Sequence, residues 1–186
     1  MKPANVLVLP GWQNSGPAHW QSRWEAAHGY TRVQQHDWER PLRGDWLMQL
    51  EEAVLHCDEP AVLVAHSLGC IQVAAWAAHS QNAQRVKAAL LVAPGDVERE
   101  ALRPLLPSWS PIVRYSLPFK SILVASRDDV HCTFEKADRL ARDWGAELVD
   151  LGNAGHINAD SGLGDWSRGQ VLLQGLLSLP ASGVAA

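Results

Sequence analysis

Four short stretches of the sequence are almost continuously apolar, and a fifth stretch shows the same pattern more weakly. They cover residues 6–9, 61–65, 88–93 and 122–125, with the weaker one at residues 147–151. Continuous rather than alternating hydrophobicity, bounded by Gly, Pro or Asp, is typical of parallel strands that are covered on both faces. The pattern therefore predicts a parallel sheet buried between two layers.

Segments with helical periodicity separate these strands. The predicted helices cover residues 15–28, 45–54, 68–78, 133–144 and 165–177. The first carries Trp20, Trp24 and Ala27 on one stripe and stops at Gly29. Because strand and helix alternate throughout, we predict an α/β fold with three layers, α/β/α, and a mostly parallel sheet.

Chain length and proline content indicate the domain organisation. The 186 residues are the size of one domain, so we predict a single domain over residues 1–186. Prolines punctuate residues 94–118 around Trp109, and a long irregular segment in a compact domain is often functional. We expect a partial lid there, and a surface excursion without a role is the alternative. Residues 180–186 are expected to form a frayed tail.

Charge, cysteine content and apolar runs bear on the location of the protein in the cell and on its classes of binding partner. The net charge is −4 without a run of basic residues, so nucleic acid is not an expected partner. The N-terminal apolar run, residues 6–9, is too short for a signal peptide or a membrane span. The three cysteines are widely spaced and include no C-x-x-C, which predicts neither a disulfide framework nor a zinc site. We expect a cytoplasmic protein that does not bind membranes.

Polar residues follow the second predicted strand at its carboxyl end, where parallel sheets bind their ligands. The stretch A-H-S-L-G, residues 65–69, approximates the nucleophile elbow G-x-S-x-G, in which a sharp turn exposes a strained serine. The residues two before and two after that serine approach each other, so both must be small, as Ala65 and Gly69 are. We therefore predict Ser67 as a nucleophile. An ordinary junction, in which Ser67 caps the helix, is the alternative.

A serine hydroxyl needs a base that takes its proton and a carboxylate that orients the base. In this class of fold the order along the chain is Ser, Asp, His, and each residue lies in a loop after a strand. His156 follows the last predicted strand, and we predict it as the base. Asp128 and Asp129 both follow the strand at residues 122–125. We favour Asp129 as the acid, with Asp128 capping the turn.

Other roles for these and neighbouring residues are less favoured. Seven further histidines are predicted to be structural, although His19 and His36 follow the first two strand regions and could reach the same face of the protein. Residues 128–132 include His131 and Cys132 and could be taken as metal ligands. Adjacent side chains rarely converge on one ion, so no metal is predicted.

Acyl transfer also requires N–H donors for the developing oxyanion. One should be the backbone N–H of Leu68, which follows the nucleophile at the start of a helix. The second should come from the loop after the first strand, from Trp12 or Gln13, and we favour Trp12. The side chains of Trp12 and Trp109 are expected to line an apolar acyl pocket. The alternative is that they only cover the sheet edge.

Four motifs carry a resemblance to a known family. They are "PGWQNSGPAHWQ" after the first strand, "AHSLG" at the elbow, "SRDDV" in the acid loop and "GHINADSGLGDW" near the C-terminus. Over nearly its whole length the chain resembles the small serine hydrolases related to retinoblastoma-binding protein 9, a compact α/β-hydrolase family. The resemblance implies an α/β-hydrolase fold and a catalytic triad of Ser67, Asp129 and His156. The sequence departs from the family pattern at Pro10, Ala65 and Val130.

Residues 55–59 match L-x-C-x-E, a short motif associated with binding the retinoblastoma pocket. That motif is recognised as an exposed, extended segment. Here Leu55 is expected on the apolar stripe of a helix that ends before the strand at residues 61–65. We therefore expect a helix terminus and no retinoblastoma-type partner.

Taken together, these features predict a serine hydrolase that cleaves small carboxylic esters or amides through an acyl-enzyme intermediate, without a cofactor or metal. Peptidases, thioesterases and esterases share this machinery, so the sequence does not separate them. The hypothesis from another class is a catalytically silent binding protein that has kept the fold. A complete set of three residues in the right order argues against it.

Overall fold

The computed structural model describes residues 5–180. The strands are β1 (Val6–Leu9), β2 (Thr31–Arg32), β3 (Ala61–His66), β4 (Val86–Val92), β5 (Lys120–Ala125) and β6 (Glu147–Asp150). The α-helices are α1 (Trp20–His28), α2 (Arg43–Leu55), α3 (Leu68–His79), α4 (Phe134–Trp144) and α5 (Ser167–Leu177). Except for Pro180, the tail predicted to fray lies outside the described residues.

The six strands form one sheet in the order β2-β1-β3-β4-β5-β6, and every neighbouring pair is parallel. The predicted parallel sheet is therefore confirmed. The chain moves outward from β1 to β2 and then returns to place β3 on the other side of β1. This change of direction creates a switch point between the carboxyl ends of β1 and β3, where α/β sheets form a crevice that can hold a ligand.

Helices cover both faces of the sheet. On one face, apolar side chains of α1 and α5 pack with alternate residues of the central strands, including Val62 and Val64. On the other face, α2, α3 and α4 pack against the intervening residues, including Leu63 and Ala65. Side chains alternate between the two faces of a strand, so continuous hydrophobicity in β3 supplies both cores. The three layers are thus confirmed.

The sequence pattern missed β2 because its two residues, Thr31 and Arg32, are polar and lie at the sheet edge. The first helix also begins later than predicted, at Trp20. His19 precedes it in extended conformation, and its Nδ1 accepts a hydrogen bond from the backbone N–H of Gln21, which caps the helix. Ala27 is exposed rather than part of the buried stripe.

Residues 94–118 form the irregular segment that was predicted as a partial lid. Contacts at several points attach the segment to the rest of the protein. The ammonium group of Lys136 in α4 lies 2.9 Å from the carboxylate of Glu98, and the indole of Trp109 is completely buried. Whether the segment acts as a partial lid stays a prediction.

Within residues 5–180, none of the helices combines the length and the apolar character that crossing a membrane requires. The cytoplasmic location stays a prediction.

Candidate active site

Ser67 occupies a strained turn between β3 and α3. Its φ is 54° and its ψ is −117°, and positive φ values are uncommon for residues other than glycine. The turn requires a close approach to β1, because a Cβ atom on Gly69 would lie only 2.4 Å from the carbonyl oxygen of Leu9. Ser67 directly precedes α3, but its side chain makes no capping hydrogen bond. Its hydroxyl is therefore available for another partner.

The imidazole of His156 is that partner. Its Nε2 lies 2.9 Å from Oγ of Ser67, and its Nδ1 lies 2.8 Å from Oδ2 and 3.0 Å from Oδ1 of Asp129. With its proton on Nδ1, the imidazole donates a hydrogen bond to the carboxylate of Asp129, and Nε2 accepts one from the hydroxyl of Ser67. The side chains are only 11% and 3% exposed for His156 and Asp129. The structure thus brings together the three residues that the sequence singled out.

The loop after β6 has an unusual backbone conformation on both sides of His156. Both of its neighbours have positive φ, 58° at Gly155 and 48° at Ile157. Two hydrogen bonds support this geometry. The indole N–H of Trp20 donates to the carbonyl oxygen of Ile157 at 2.8 Å, and Nε2 of His66 bonds the carbonyl oxygen of His156 at 2.8 Å.

The adjacent carboxylates Asp128 and Asp129 have different partners. Oδ1 of Asp128 accepts from the hydroxyl of Ser126 at 2.7 Å and from the backbone N–H of Gly155 at 2.8 Å. These bonds, the one from Ser126 first, lower the pKa of Asp128. Asp128 therefore ties the two loops together, whereas Asp129 contacts the imidazole of His156. Within the described part of the chain, no group of three or more His, Cys, Asp and Glu side chains forms a candidate metal site.

Four imidazoles lie in series at the site. The ring centre of His66 is 4.7 Å from that of His19 and 4.8 Å from that of His156, and His131 lies 4.4 Å from His156. Burial is the first cause that lowers the pKa of His66 well below its usual value and that of His19 to about 4. Both rings are therefore neutral at neutral pH. The sequence interpretation favoured structural roles for His19, His66 and His131, although it noted that His19 could reach this face; the structure places all three rings around the site.

The backbone donors predicted for the oxyanion border the same space. A Cβ atom on Gly11 would lie 3.3 Å from the nitrogen of Leu68, so the lack of a side chain leaves that N–H accessible. The N–H of Gln13 donates to the carbonyl oxygen of Trp38 and is therefore occupied. Within residues 5–180, no acceptor pairs with the N–H of Trp12. The assignment of Leu68 and Trp12 as donors stays a prediction.

A cavity of about 410 Å³ opens above Ser67 at the switch point. Trp12 lines it, as expected, but Trp109 does not. The indole of Trp109 is 0% exposed, packs edge-on against Trp46 and donates its Nε1–H to the carbonyl oxygen of Pro41. This placement corrects the expectation that Trp109 lines an acyl pocket. The same segment instead contributes the apolar residues Val97, Leu102 and Leu106.

The L-x-C-x-E stretch lies at the end of α2, as expected. Leu55 is the last residue of the helix, but it is 48% exposed and does not belong to the buried stripe of Trp46, Leu50 and Val54. The expected position of Leu55 on that stripe is therefore wrong. The expectation that no retinoblastoma-type partner binds stays a prediction, as do the expectations about nucleic acid and membranes.

The parallel sheet, its order and the serine turn at its switch point define an α/β-hydrolase fold. The profile of the family described as Serine hydrolase matches residues 6–175, and the chain belongs to this family. The protein is therefore a hydrolase. No curated protein matches the sequence at a significant level.

Solved structures of hydrolases resemble this chain over most of its length. A proposed YdeN-like hydrolase from Pectobacterium atrosepticum is 27% identical, with a TM-score of 0.81 over 94% of this chain and 91% of that one. The ydeN gene product of B. subtilis is 23% identical, with a TM-score of 0.78 over 95% and 100%. Thermogutta terrifontis esterase 2 is 19% identical, with a TM-score of 0.65 over 95% and 85%.

Proposed function

We propose that the protein cleaves small carboxylic esters or amides through an acyl-enzyme intermediate. The single observation that carries the proposal is the hydrogen-bonded series of Ser67, His156 and Asp129. In this series each group prepares the next, because the carboxylate orients the imidazole and the imidazole activates the hydroxyl. The positions of these three loops at one sheet edge support the assignment.

The first half of the reaction acylates the enzyme. Oγ of Ser67 attacks the carbonyl carbon while its proton passes to Nε2 of His156, which becomes an imidazolium beside Asp129. The tetrahedral intermediate then breaks its bond to the leaving group. The leaving alcohol or amine takes the proton from Nε2 as it departs. Asp129 holds the proton on Nδ1 throughout and stabilises the positive ring.

The second half restores the free enzyme. Water attacks the acyl carbon, His156 takes a proton from that water, and the bond to Oγ breaks with return of the proton to Ser67. The carboxylic acid leaves. Both tetrahedral intermediates carry a negative oxygen, for which the N–H groups of Leu68 and Trp12 are the proposed donors. This chemistry needs no cofactor or metal.

Labelling with a fluorophosphonate probe tests the proposal directly, because such probes phosphonylate an activated serine. Wild-type protein should be labelled covalently at Ser67, and Ser67→Ala should not be labelled. Circular dichroism of both proteins serves as the control for folding. Folded wild-type protein that resists the probe and cleaves no ester or amide would favour the silent binding protein instead.

A further inference from the structure

His19 presents a buried donor without a partner at the edge of the candidate active site. Its Nδ1 accepts the hydrogen bond from the backbone N–H of Gln21 at 3.1 Å, so this nitrogen carries no proton. A neutral imidazole then carries its proton on Nε2. Among residues 5–180, Nε2 of His19 has no hydrogen-bond partner, although the residue is only 5% exposed. Leaving a buried donor unpaired is unfavourable.

The cavity above Ser67 has two chemically different walls. The wall here called polar consists of Asn14, His19 and Asn158, and the wall here called apolar consists of Val97, Leu102 and Leu106. Asp96 also lines the cavity beside Val97, and its carboxylate is paired with the ammonium group of Lys136. The polar wall adjoins α1, whose apolar side chains pack on one face of the sheet. Val97 and Leu106 belong to the core on the opposite face. A substrate that crosses Ser67 therefore meets a polar environment on one side and an apolar environment on the other.

The direction of proton transfer decides which part of the substrate faces each wall. His156 must deliver its proton to the leaving oxygen, so the leaving group departs beside this imidazole. The rings of His66 and His19 continue from His156 in successive steps of just under 5 Å. His131 also lies beside His156, with 4.4 Å between the ring centres. A leaving group that follows the rings of His66 and His19 would extend along the polar wall, and the acyl group would then extend along the apolar wall.

We propose that Nε2–H of His19, a buried atom that a substrate reaches only when the cavity lining moves, binds an oxygen acceptor on the leaving alcohol of the substrate. The inference rests on the proposed ester hydrolysis. The substrate class is an ester of an apolar acid with an alcohol that carries an ether, hydroxyl or carbonyl oxygen a few bonds beyond the ester oxygen. His19 is thus a specificity-determining residue, and its second nitrogen serves at the same time as the cap of α1.

Two substitutions separate the helix-capping role of Nδ1 from the donor role of Nε2. His19→Asn keeps a side-chain oxygen that can accept from Gln21, since asparagine is a strong helix cap, but it removes the donor at the Nε2 position. His19→Gln places an amide N–H near that position and weakens the cap. The two variants should therefore show opposite effects on substrate preference and on stability.

Matched esters report on the donor. The first pair is butyl butanoate and methoxyethyl butanoate, whose alcohols have nearly equal shape but differ by an ether oxygen in place of a methylene. The second pair, pentyl butanoate and methoxypropyl butanoate, places the ether oxygen one carbon farther from the ester. The measurement is the ratio of kcat/KM between the members of each pair. In His19→Asn the preference for the ether should fall about 2- to 10-fold, the factor of one neutral hydrogen bond. His19→Gln should retain the preference while its Tm falls.

The control places the ether in the acid, with ethyl methoxypropanoate compared against ethyl pentanoate. His19→Asn should leave this second ratio unchanged. The inference is overturned if His19→Asn leaves the kcat/KM ratio of the alcohol-side pairs unchanged, or if only the ratio of the acid-side pair falls. In either case ester hydrolysis by the wild type still stands. Wild-type protein that cleaves none of these esters and takes no fluorophosphonate label overturns the proposed function, and the inference falls with it.

Discussion

The carbonyl oxygen of His156 lies 2.8 Å from Nε2 of His66, so the buried imidazole of His66 holds the backbone of His156 in place. His66 ends β3 and directly precedes the proposed nucleophile. Because the pKa of His66 lies well below its usual value through burial, this ring is neutral and donates its single proton to the carbonyl. The bond couples the serine turn to the loop that carries the proposed base.

We expect His66→Leu to lower kcat by about 10-fold or more, because small displacements of catalytic groups have large effects on rate. His66→Gln offers an amide N–H close to the same place and should recover much of kcat. KM should change little in either variant, since the interaction positions His156 rather than substrate. Folded His66→Gln protein that is as impaired as His66→Leu would argue against the role of the donor.

Substitutions of the two adjacent carboxylates should separate their roles. Asp129→Asn removes the charge beside His156 and should lower kcat for ester hydrolysis by about 10⁴-fold, as removing a triad acid does. Asp128→Asn keeps an oxygen that accepts from Ser126 and Gly155, so it should retain most of the activity. Steady-state kinetics on one ester compares them. Equal losses in both variants would contradict the assignment of Asp129 as the acid.

Stability should fall on acidification because the unfolded chain binds protons that the folded protein does not. Burial, followed by the charges of Arg32 and His156, lowers the pKa of His19 from 6.5 to about 4. Between these values an unfolded His19 is protonated and a folded one is not, so stability decreases as pH falls below 6.5 and the decrease levels off near pH 4. By pH 4.5 the contribution of His19 is roughly 2 to 3 kcal/mol.

The measurement is urea unfolding at pH 7 and pH 4.5. His19→Asn has no ionisable group at this position. Between pH 7 and pH 4.5 its free energy of unfolding should therefore decrease by roughly 2 to 3 kcal/mol less than that of the wild type. His36→Asn, which changes an exposed histidine, should behave like the wild type. Parallel pH profiles for the wild type and His19→Asn would contradict the prediction.

Gly95 should be important for activity rather than for folding. A Cβ atom at this position would lie 3.3 Å from Oγ of Ser67 and 3.7 Å from the nitrogen of Leu68, within the space that the tetrahedral intermediate needs. We expect Gly95→Ala to lower kcat/KM by about 100-fold with Tm little changed. Gly44→Ala, where a Cβ atom would contact nothing within 4 Å, is the matched control and should keep full activity. A fully active Gly95→Ala enzyme would contradict this geometry.

Much of the fold could be predicted because a buried parallel strand requires apolar side chains on both faces. This requirement located β1, β3, β4 and β5 in the sequence. It could not locate β2, because polar residues at a sheet edge carry no such signal. Trp109 shows a second limit, since a tryptophan in a loop can fill a core as well as line a cavity.

The candidate site was predictable where one motif imposed strong local constraints, as at Ser67, and where the fold dictated the order of the partners. The polar wall was not predictable, because its residues come from loops after β1 and β6 and meet only when the sheet forms. For His19 the sequence indicated only the face of the protein, because the residue follows the first strand and could therefore reach the sheet edge of Ser67. Which of its nitrogens is free depends on the cap of α1, which only the structure reveals.

The serine turn should tolerate a change at Ala65 but not at Gly69. A Cβ atom on Gly69 would lie 2.4 Å from the carbonyl oxygen of Leu9 and 3.0 Å from that of Pro10. Because backbone atoms of β1 cannot move without disturbing the central sheet, Gly69→Ala should destabilise the protein by about 3 kcal/mol or more. Ala65→Gly removes one buried methyl group and adds backbone freedom, which should cost about 1 kcal/mol. Thermal unfolding compares both variants with the wild type, and a Gly69→Ala protein of wild-type stability would show that α3 does not approach β1 this closely.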